Sequence, residues 1–287
     1  MVVILPNVET FSLYMRDNPA AQAYDIAGHI SCPRARDTSL GQEIRDYNVG
    51  DDPEIFPYLV LWNKIVHQHT TCPMEEATLE VKRNKFDGIR CSLTFQSANA
   101  AVLKLGFDVA ESGESEEELG VTFKEMGWEI FSQALATIRD YPLLSHIEQL
   151  HIKHRSAALD VHRWAEEVGD LFNRLRPLDK LTIDGCDLQI FLPGFLDDPD
   201  FRDLEEVITF PWIKEIAILC PDMCCGEGEG AEAIVRLAKS QHELGIPFER
   251  VAVRTWNFPT GMVEELGRWA NAVEYFEVEW WQQYPQY

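Results

Sequence analysis

The residues best placed for chemistry form a glycine-rich segment between a predicted strand and a predicted helix. The sequence GEGEGA at residues 226–231 follows the strand-like IKEIAIL, which is the position of a nucleotide-binding loop in a doubly wound sheet. Glu227 and Glu229 would face a phosphate as like charges, and no acidic residue ends the next strand-like segment, VAVRTW, to bind a ribose. The sequence therefore favours a flexible loop that opens a helix, and a nucleotide site near Gly226 and Gly230 is the alternative.

A second candidate is a short run of metal-ligand residue types. His67, His69 and Cys72 lie close together, but a structural zinc site needs four ligands and this run supplies three. The adjacent Cys224 and Cys225 have no second pair at zinc-site spacing. We interpret the histidine run as a surface turn and expect neither a metal nor another cofactor.

Nucleophilic and acid–base chemistry have no recognisable motif either. No serine has the glycines of a nucleophile elbow around it, and no carboxylate pair stands out from the 48 acidic residues. His151 and His154 flank a predicted strand, and histidine at such a position suits a solvated or partner-binding role as well as a catalytic one. We therefore expect a non-enzymatic protein, with an enzyme on a doubly wound α/β sheet as the alternative.

Composition and charge narrow the class of partner. The 287 residues are 46% apolar, enough to bury a large core, and 25 basic against 48 acidic residues give a net charge of -23. Such a charge repels nucleic acid and anionic membranes, so the expected partner is another protein. No apolar run approaches a membrane span of about 20 residues, and the seven cysteines lack framework spacing. We expect reduced thiols and an intracellular location, cytoplasmic or nuclear.

A six-residue pattern, apolar-x-x-apolar-x-apolar, recurs along the chain. Five of its copies have a proline one or two residues before the first apolar position and a charged residue directly after it. Proline ends one element just before an extended segment begins, and the alternation at the last two apolar positions sends both side chains to one face of a strand. Each copy is therefore a predicted strand. The copies begin at Val8, Met74, Ile147, Leu178, Ile213, Phe248 and Val273.

Between several copies, apolar residues recur at helical spacing, so these repeats are predicted to consist of a strand followed by a helix. The last five copies begin 31, 35, 35 and 25 residues apart, and the copy at Leu178 fits the leucine-rich-repeat template up to Cys186. Polar residues at the second, third and fifth positions argue against strands buried on both faces. The predicted fold is an α/β leucine-rich-repeat-like solenoid, a parallel strand sheet with outer helices. The predicted helices cover residues 123–138, 161–175 and 231–244, the last closed by Gly245 and Pro247, and a shorter one follows Thr260.

Two segments interrupt the regular pattern. CSLTFQ and AVLKLGF flank a turn-like stretch and predict an antiparallel hairpin inserted at about residues 85–110. Residues 111–118, ESGESEEE, are too acidic to pack and predict a solvated loop. With these two interruptions, we assign residues 1–287 to a single irregular repeat domain.

Four segments carry a resemblance to a known family. CPRARDTSL, DGIRCSLTF, LDKLTIDGC and AIVRLAKSQHELGIPFERVAVR occur in this order, and the chain resembles the repeat region of fungal F-box proteins of the leucine-rich-repeat-like type. The resemblance implies repeats that capture a substrate for a cullin ubiquitin ligase and an N-terminal F-box that binds the ligase adaptor. Because the Val8 copy already opens the repeats, the resemblance covers the repeat region, and the adaptor is an expected partner only where an F-box precedes this chain.

The outward positions of the copies predict a binding surface. Strands stacked side by side with helices on one face leave their polar side chains free on the other, concave face. The predicted residues are of both charges, so basic side chains on an acidic body would orient an acidic segment of a partner. They are Glu76, Gln149, His151, Lys153, Lys180, Asp184, Glu215, Arg250 and Arg254.

Overall fold

The computed structural model describes residues 3–16, 29–32, 35–44, 74–83, 89–98, 102–109, 146–155, 175, 177–185, 212–219, 229–255 and 258–277. In chain order the strands are β1 Val3–Ile4, β2 Thr10–Arg16, β3 Ile30–Ser31, β4 Asp37–Ile44, β5 Glu76–Arg83, β6 Ile89–Gln96, β7 Val102–Val109, β8 Gln149–Arg155, β9 Leu178–Asp184, β10 Ile213–Leu219, β11 Arg250–Thr255 and β12 Val273–Glu277. The helices are α1 Glu229–Glu243 and α2 Thr260–Trp269.

The chain divides into two compact units, each described by itself below. The first unit comprises Met1–His146 and Ser156–Leu159 and contains β1 to β7. The second unit comprises Ile147–Arg155 and Asp160–Tyr287 and contains β8 to β12 with both helices.

The second unit is a parallel array in which chain neighbours are also spatial neighbours. Its strands lie in the order β8, β9, β10, β11, β12, and every adjacent pair is parallel. A parallel neighbour can be reached only through a crossover, and α1 and α2 form the crossovers that lead to β11 and β12.

Local sequence explains where the two helices begin and end. The buried side of α1 consists of small and aliphatic residues at helical spacing, including Ala231, Ile234 and Ala238. Gly245 adopts φ 81°, which favours glycine, and the N–H of Ile246 donates to the carbonyl of Gln241, a Schellman-type helix end. α2 packs against α1, with the ring of Trp269 edge-on to that of His242 at 5.5 Å between centroids. The predicted helices at 231–244 and after Thr260 are confirmed.

The apolar positions of the repeat form the interior of the second unit. In the four copies that begin at Ile147, Leu178, Ile213 and Phe248, the first, fourth and sixth residues are all at most 3% exposed. The register aligns these copies position by position, since Leu150 lies opposite Leu181, and Ile216 lies opposite both Leu181 and Val251. Each such aliphatic side chain contributes roughly 1.5–3 kcal/mol by leaving water, so one apolar side of the array is continuous.

The last copy is displaced by three residues from its predicted frame. Val273 pairs with Val251, a fourth-position residue, and not with the first-position Phe248. The copy therefore begins at Ala270, which is 9% exposed, and continues with Val273 and Tyr275 on the interior side. Phe276, expected at an interior position, lies on the opposite side and is 56% exposed. The predicted strand is confirmed, but its predicted inner face was wrong.

The first unit mixes strand directions. β5, β6 and β7 form an antiparallel meander, and β7 continues through parallel pairs with β4 and then β2. β1 and β3 form a separate parallel pair. The antiparallel pairing of β6 with β7 confirms the predicted hairpin, and the sequence did not signal that β5 is antiparallel to it as well.

The apolar side chains of the first unit are fully buried on β4, β5 and β6 and only partly buried on the outermost strand β2. Leu79 and Phe95 on β5 and β6 are at most 1% exposed, as is Leu40 on β4. Phe11 and Leu13 of the Val8 copy, on the outermost strand β2, are only partly buried. The copy at Val8 thus forms its predicted strand without a fully covered inner face.

The predicted fold class is confirmed at its coarser level. The protein is a mixed α/β structure in which most strand pairs are parallel. The predicted helices at 123–138 and 161–175, the acidic loop at 111–118 and the histidine run at 67–72 lie outside the described residues, Leu175 excepted, which is buried. The assignment of residues 1–287 to one domain stays a prediction.

Candidate functional site

Strand alternation places polar side chains on the side of the second unit opposite its interior. We call this surface the charged face, and define it by the third, fifth and seventh positions of the copies and the matching residues of β12. Its members are Gln149, His151, Lys153, Lys180, Thr182, Asp184, Glu215, Ala217, Leu219, Arg250, Ala252, Arg254, Glu274 and Phe276.

The register arranges the charged face into three rows that cross the strands. The start row is Gln149, Lys180, Glu215 and Arg250. The central row is His151, Thr182, Ala217, Ala252 and Glu274. The end row is Lys153, Asp184, Leu219, Arg254 and Phe276, in which Leu219 and Arg254 directly follow the paired Ile218 and Val253. The central row has two alanines in its middle, Ala217 and Ala252, of which Ala217 is buried at 9% exposure.

Part of the charge on this face is neutralised within the face. The guanidinium of Arg250 lies between two carboxylates, with NH1 at 3.8 Å from Oε2 of Glu215 and Nε at 3.6 Å from Oε1 of Glu274. His151 Nε2 lies 4.0 Å from Oδ2 of Asp184, one strand over and two residues on. Arg250 therefore links β10, β11 and β12 through its two ion pairs. His151 is partly buried, although the sequence predicts an exposed position for it.

Three cations on the charged face have no such partner. Within the described part of the chain, Lys153, Lys180 and Arg254 form no ion pair and no side-chain hydrogen bond, and Arg254 is exposed. Counting formal charges on the face, four basic residues against three acidic ones (4 - 3) give +1 with histidine neutral, whereas the whole chain carries -23. The face is thus close to neutral, whereas the chain as a whole is strongly acidic.

A second charged row borders the start row, at the second position of the copies. Lys214 lies beside Asp179 and forms a hydrogen-bonded ion pair with it. That hydrogen bond, the charge of Asp179 and the nearby Glu249 and Glu148 raise the pKa of the Lys214 amine. This row is acidic overall and anchored by one lysine, so it repels an acidic ligand at the edge of the charged face.

The structure brings eight of the nine predicted binding residues onto one face. All eight are members of the charged face, in the start, central and end rows. Glu76 belongs to the first unit, where it lies opposite Gln96 of β6. Their role in binding stays a prediction.

Sequence reasoning missed the β12 contribution to this face. Glu274, which pairs with Arg250, and the exposed Phe276 were hidden by the displaced frame of the last copy. The available signal was that Ala270, Val273 and Tyr275 also fit the apolar pattern. Leu219 was missed because an apolar residue at an outward position carries no sequence mark.

The polar side of the first unit contains a row of mostly hydroxyl residues. A row that crosses five strands there consists of Thr78, Thr94, Lys104, Ser39 and Ser12. Hydroxyl groups dominate this row, with one exposed lysine among them. It offers hydrogen-bonding groups but little charge.

The other chemistry considered from the sequence gains no site. Among the described residues, no group of three His, Cys, Asp or Glu side chains is arranged to hold a metal ion. Of the glycine-rich segment at 226–231, Glu229, Gly230 and Ala231 fall in the described ranges, where they form the first turn of α1. Cys32 is a free thiol, and burial raises its pKa. In the part of the chain that the structure describes, neither helix is long and apolar enough to cross a membrane.

Comparison with known proteins adds no assignment. No protein family, no curated protein and no solved structure matches this chain. What the fold and the face define together is a mixed α/β protein with a parallel repeat array and a charged surface across its strands.

Proposed function

We propose that the second unit is a leucine-rich-repeat-like array that works as a non-enzymatic protein-binding module, with the charged face as its binding surface. The observation that carries the proposal is the presence of Lys153, Lys180 and Arg254 on this face without ion-pair partners among the described residues, in a chain of net charge -23. Charged side chains that have no ion-pair partner within the described chain are available to pair with complementary charges on another protein.

The one-sided burial of the repeats supports the same function. Four copies bury all three apolar positions, while Lys180 and Glu215 between them remain partly exposed on β9 and β10. These are interior strands of the array, and in a doubly wound sheet helices would cover both of their faces. Partly exposed polar side chains on interior strands are accessible to a macromolecule that binds across the array.

The resemblance to the repeats of fungal F-box proteins adds a cellular role to the proposal. In that role the captured protein is a substrate of a cullin ubiquitin ligase, and the ligase adaptor is a partner only where an F-box precedes this chain. Co-expression of the full gene product with the adaptor tests this role, because an F-box protein co-purifies with the adaptor and a chain without an F-box does not.

The binding proposal is tested by charge reversal of the three unpaired cations. Beads carrying the wild-type chain, or the Lys153→Glu, Lys180→Glu, Arg254→Glu triple variant, are incubated with an extract of the source organism. Retained proteins are identified by mass spectrometry, and the candidate partner is then purified. We expect its affinity to fall at least about tenfold in the triple variant, since each lost charge contact is worth roughly 1 kcal/mol.

Lys104→Glu is the matched control, because Lys104 is an exposed strand lysine of the first unit. It should leave the affinity unchanged. Arg250 is deliberately kept, since reversing it would place three carboxylates together and disturb β10 to β12. A purified partner that binds wild type and triple variant equally would reject the charged face as the binding surface.

A further inference from the structure

The end row of the charged face has a spacing that selects one kind of partner segment. Along this row the register places a cation on β8, an anion on β9, an apolar side chain on β10, a cation on β11 and an apolar side chain on β12. The residues are Lys153, Asp184, Leu219, Arg254 and Phe276.

The distances along the row follow from the spacing of strands. Neighbouring strands lie about 4.8 Å apart, so Leu219, Arg254 and Phe276 lie roughly 10, 14 and 19 Å from Lys153. An extended peptide laid across the strands advances about 6.8 Å for every two residues and presents these alternate side chains to the same side. Its positions 1, 3, 5 and 7 therefore fall at roughly 0, 7, 14 and 20 Å.

The two series coincide at both cations. Position 1 lies over Lys153 and position 5 over Arg254, so both are acidic. Position 7 lies over Phe276, which is 56% exposed and can cover an apolar side chain. Position 3 reaches Leu219 within one side-chain length, and the carboxylate of Asp184 beneath positions 2 and 3 disfavours an acidic residue there.

We infer that the end row binds an extended segment of the form acidic-x-apolar-x-acidic-x-apolar, which lies across the strands from β8 towards β12. This inference rests on the proposed function and adds the chemistry of the partner. The neighbouring central row has the short side chains of Thr182, Ala217 and Ala252, so no long side chain there competes with the segment for the end row. The acidic row around Lys214 lies beyond the start row and keeps a uniformly acidic segment from spreading over the whole face.

The test uses the full chain and fluorescein-labelled synthetic peptides in an anisotropy titration. The probe is Glu-Ser-Leu-Ser-Glu-Ser-Leu, with the reversed sequence as a second probe because the row does not fix chain direction. A peptide of the same composition with adjacent acids, Glu-Glu-Leu-Ser-Ser-Ser-Leu, is the matched control. We expect one of the two spaced probes to bind, and the adjacent-acid control to bind at least about fivefold more weakly, as expected for one misplaced charge contact.

Protein variants locate the bound peptide. Arg254→Gln and Lys153→Gln should each weaken the spaced probe severalfold, and Lys104→Gln in the first unit should not. Glutamine keeps the length of the side chain and adds no like charge beside Asp184, so these variants should fold as the wild type does; circular dichroism checks this. Asp184→Asn should strengthen binding of peptides with an acid at position 3.

Two results would overturn the inference. One is equal binding of the spaced and adjacent-acid peptides, or binding that Arg254→Gln does not change. The other is no binding of either spaced probe at concentrations up to about 1 mM, the weak limit of specific recognition. If the purified natural partner still depends on Lys153, Lys180 and Arg254 in that case, the proposed function stands and the segment chemistry alone is wrong.

Discussion

The two units build similar sheets by different rules. In the second unit each strand returns parallel to its neighbour, and the same sequence positions lie side by side across four copies. In the first unit an antiparallel meander is joined to parallel strands, and the apolar positions of its outermost strand are only partly buried. The buried interior of the regular repeat therefore continues from strand to strand, whereas the apolar side chains of β2 in the mixed unit are only partly buried.

The same difference appears on the polar sides. Repetition in the second unit places charged residues at equivalent positions, so ion pairs form between strands, as at Arg250 with Glu215 and Glu274. The first unit places hydroxyl residues in its central row, and the ion pair of Lys82 with Glu80 lies within a single strand. The cross-strand ion pairs of the second unit therefore follow from its periodic sequence, and the polar positions of the same repeats form the proposed binding surface.

The largest expected effect contrasts the interiors of the two units. Ile183 and Leu13 both occupy the sixth position of their copies. Ile183 lies on the interior strand β9 and is 0% exposed, whereas Leu13 lies on the outermost strand β2 and is partly buried. Ile183→Ala should cost about 3–4 kcal/mol of unfolding free energy, and Leu13→Ala about 1 kcal/mol, since only the first leaves a closed cavity. Urea denaturation followed by circular dichroism measures both. Equal losses would mean that the first unit is covered as completely as the second.

The sequence predicted the strands far better than it predicted their neighbours. All seven copies form strands, because alternation and the preceding prolines act locally. The antiparallel turn of β5 against β6, and the strand β4, carry no comparable local signal, since pairing depends on residues far apart in sequence. The last copy shows the limit of pattern matching: Ala270 and Val273 compete for the same apolar position, and only pairing with β11 decides between them.

The candidate site was predictable to the extent that it follows the repeat. Eight of its predicted residues share the charged face because strand alternation fixes the side on which they lie. Which cations are paired was not predictable, since the ion pairs of Arg250 join three strands. The contribution of Phe276 required the frame of β12.

In the first unit, a close contact with an aromatic ring explains why one strand position is glycine. Gly41 on β4 lies under the ring of Tyr14 on β2, and a Cβ added at Gly41 would lie 2.6 Å from Cδ2 of that ring. Gly41→Ala should cost about 1 kcal/mol, because the aromatic ring must move away from the sheet. In a Tyr14→Ala background the same substitution should be neutral or slightly stabilising, since alanine loses less backbone entropy on folding. Additive effects in this double-mutant cycle would show that the two residues do not interact.

In the second unit a glycine is required by backbone conformation instead of a close neighbour. Gly245 has φ 81° and nothing within 4 Å of an added Cβ, so Gly245→Ala tests strain alone and should destabilise by about 1 kcal/mol. Gly267, inside α2, also has open space around it and serves as the control. Gly267→Ala should stabilise by roughly 0.5–1 kcal/mol, because alanine is the better helix former. Thermal denaturation of both variants should therefore shift the melting temperature in opposite directions, and a shared direction would contradict the assigned Schellman end.

The smallest expected effect concerns the cross-strand ion pair of Lys214 with Asp179 in the second unit. Its neighbours, Asp179 first, raise the pKa of Lys214 above the ordinary value of 10.5. A raised pKa means that the stabilisation is fully present below pH 10.5 and is lost as the pH rises through the pKa of the folded protein.

The wild type should therefore lose slightly more thermal stability between about pH 9 and pH 12 than Lys214→Gln does. Titration of lysine labelled with ¹³C at Cε gives the direct measurement, with Asp179→Asn as the matched variant. Removing that carboxylate should lower the pKa of Lys214, and added salt should weaken the effect because the pair is exposed to solvent. An unchanged pKa in Asp179→Asn would contradict the assignment of Asp179 as the main cause of the raised pKa of Lys214.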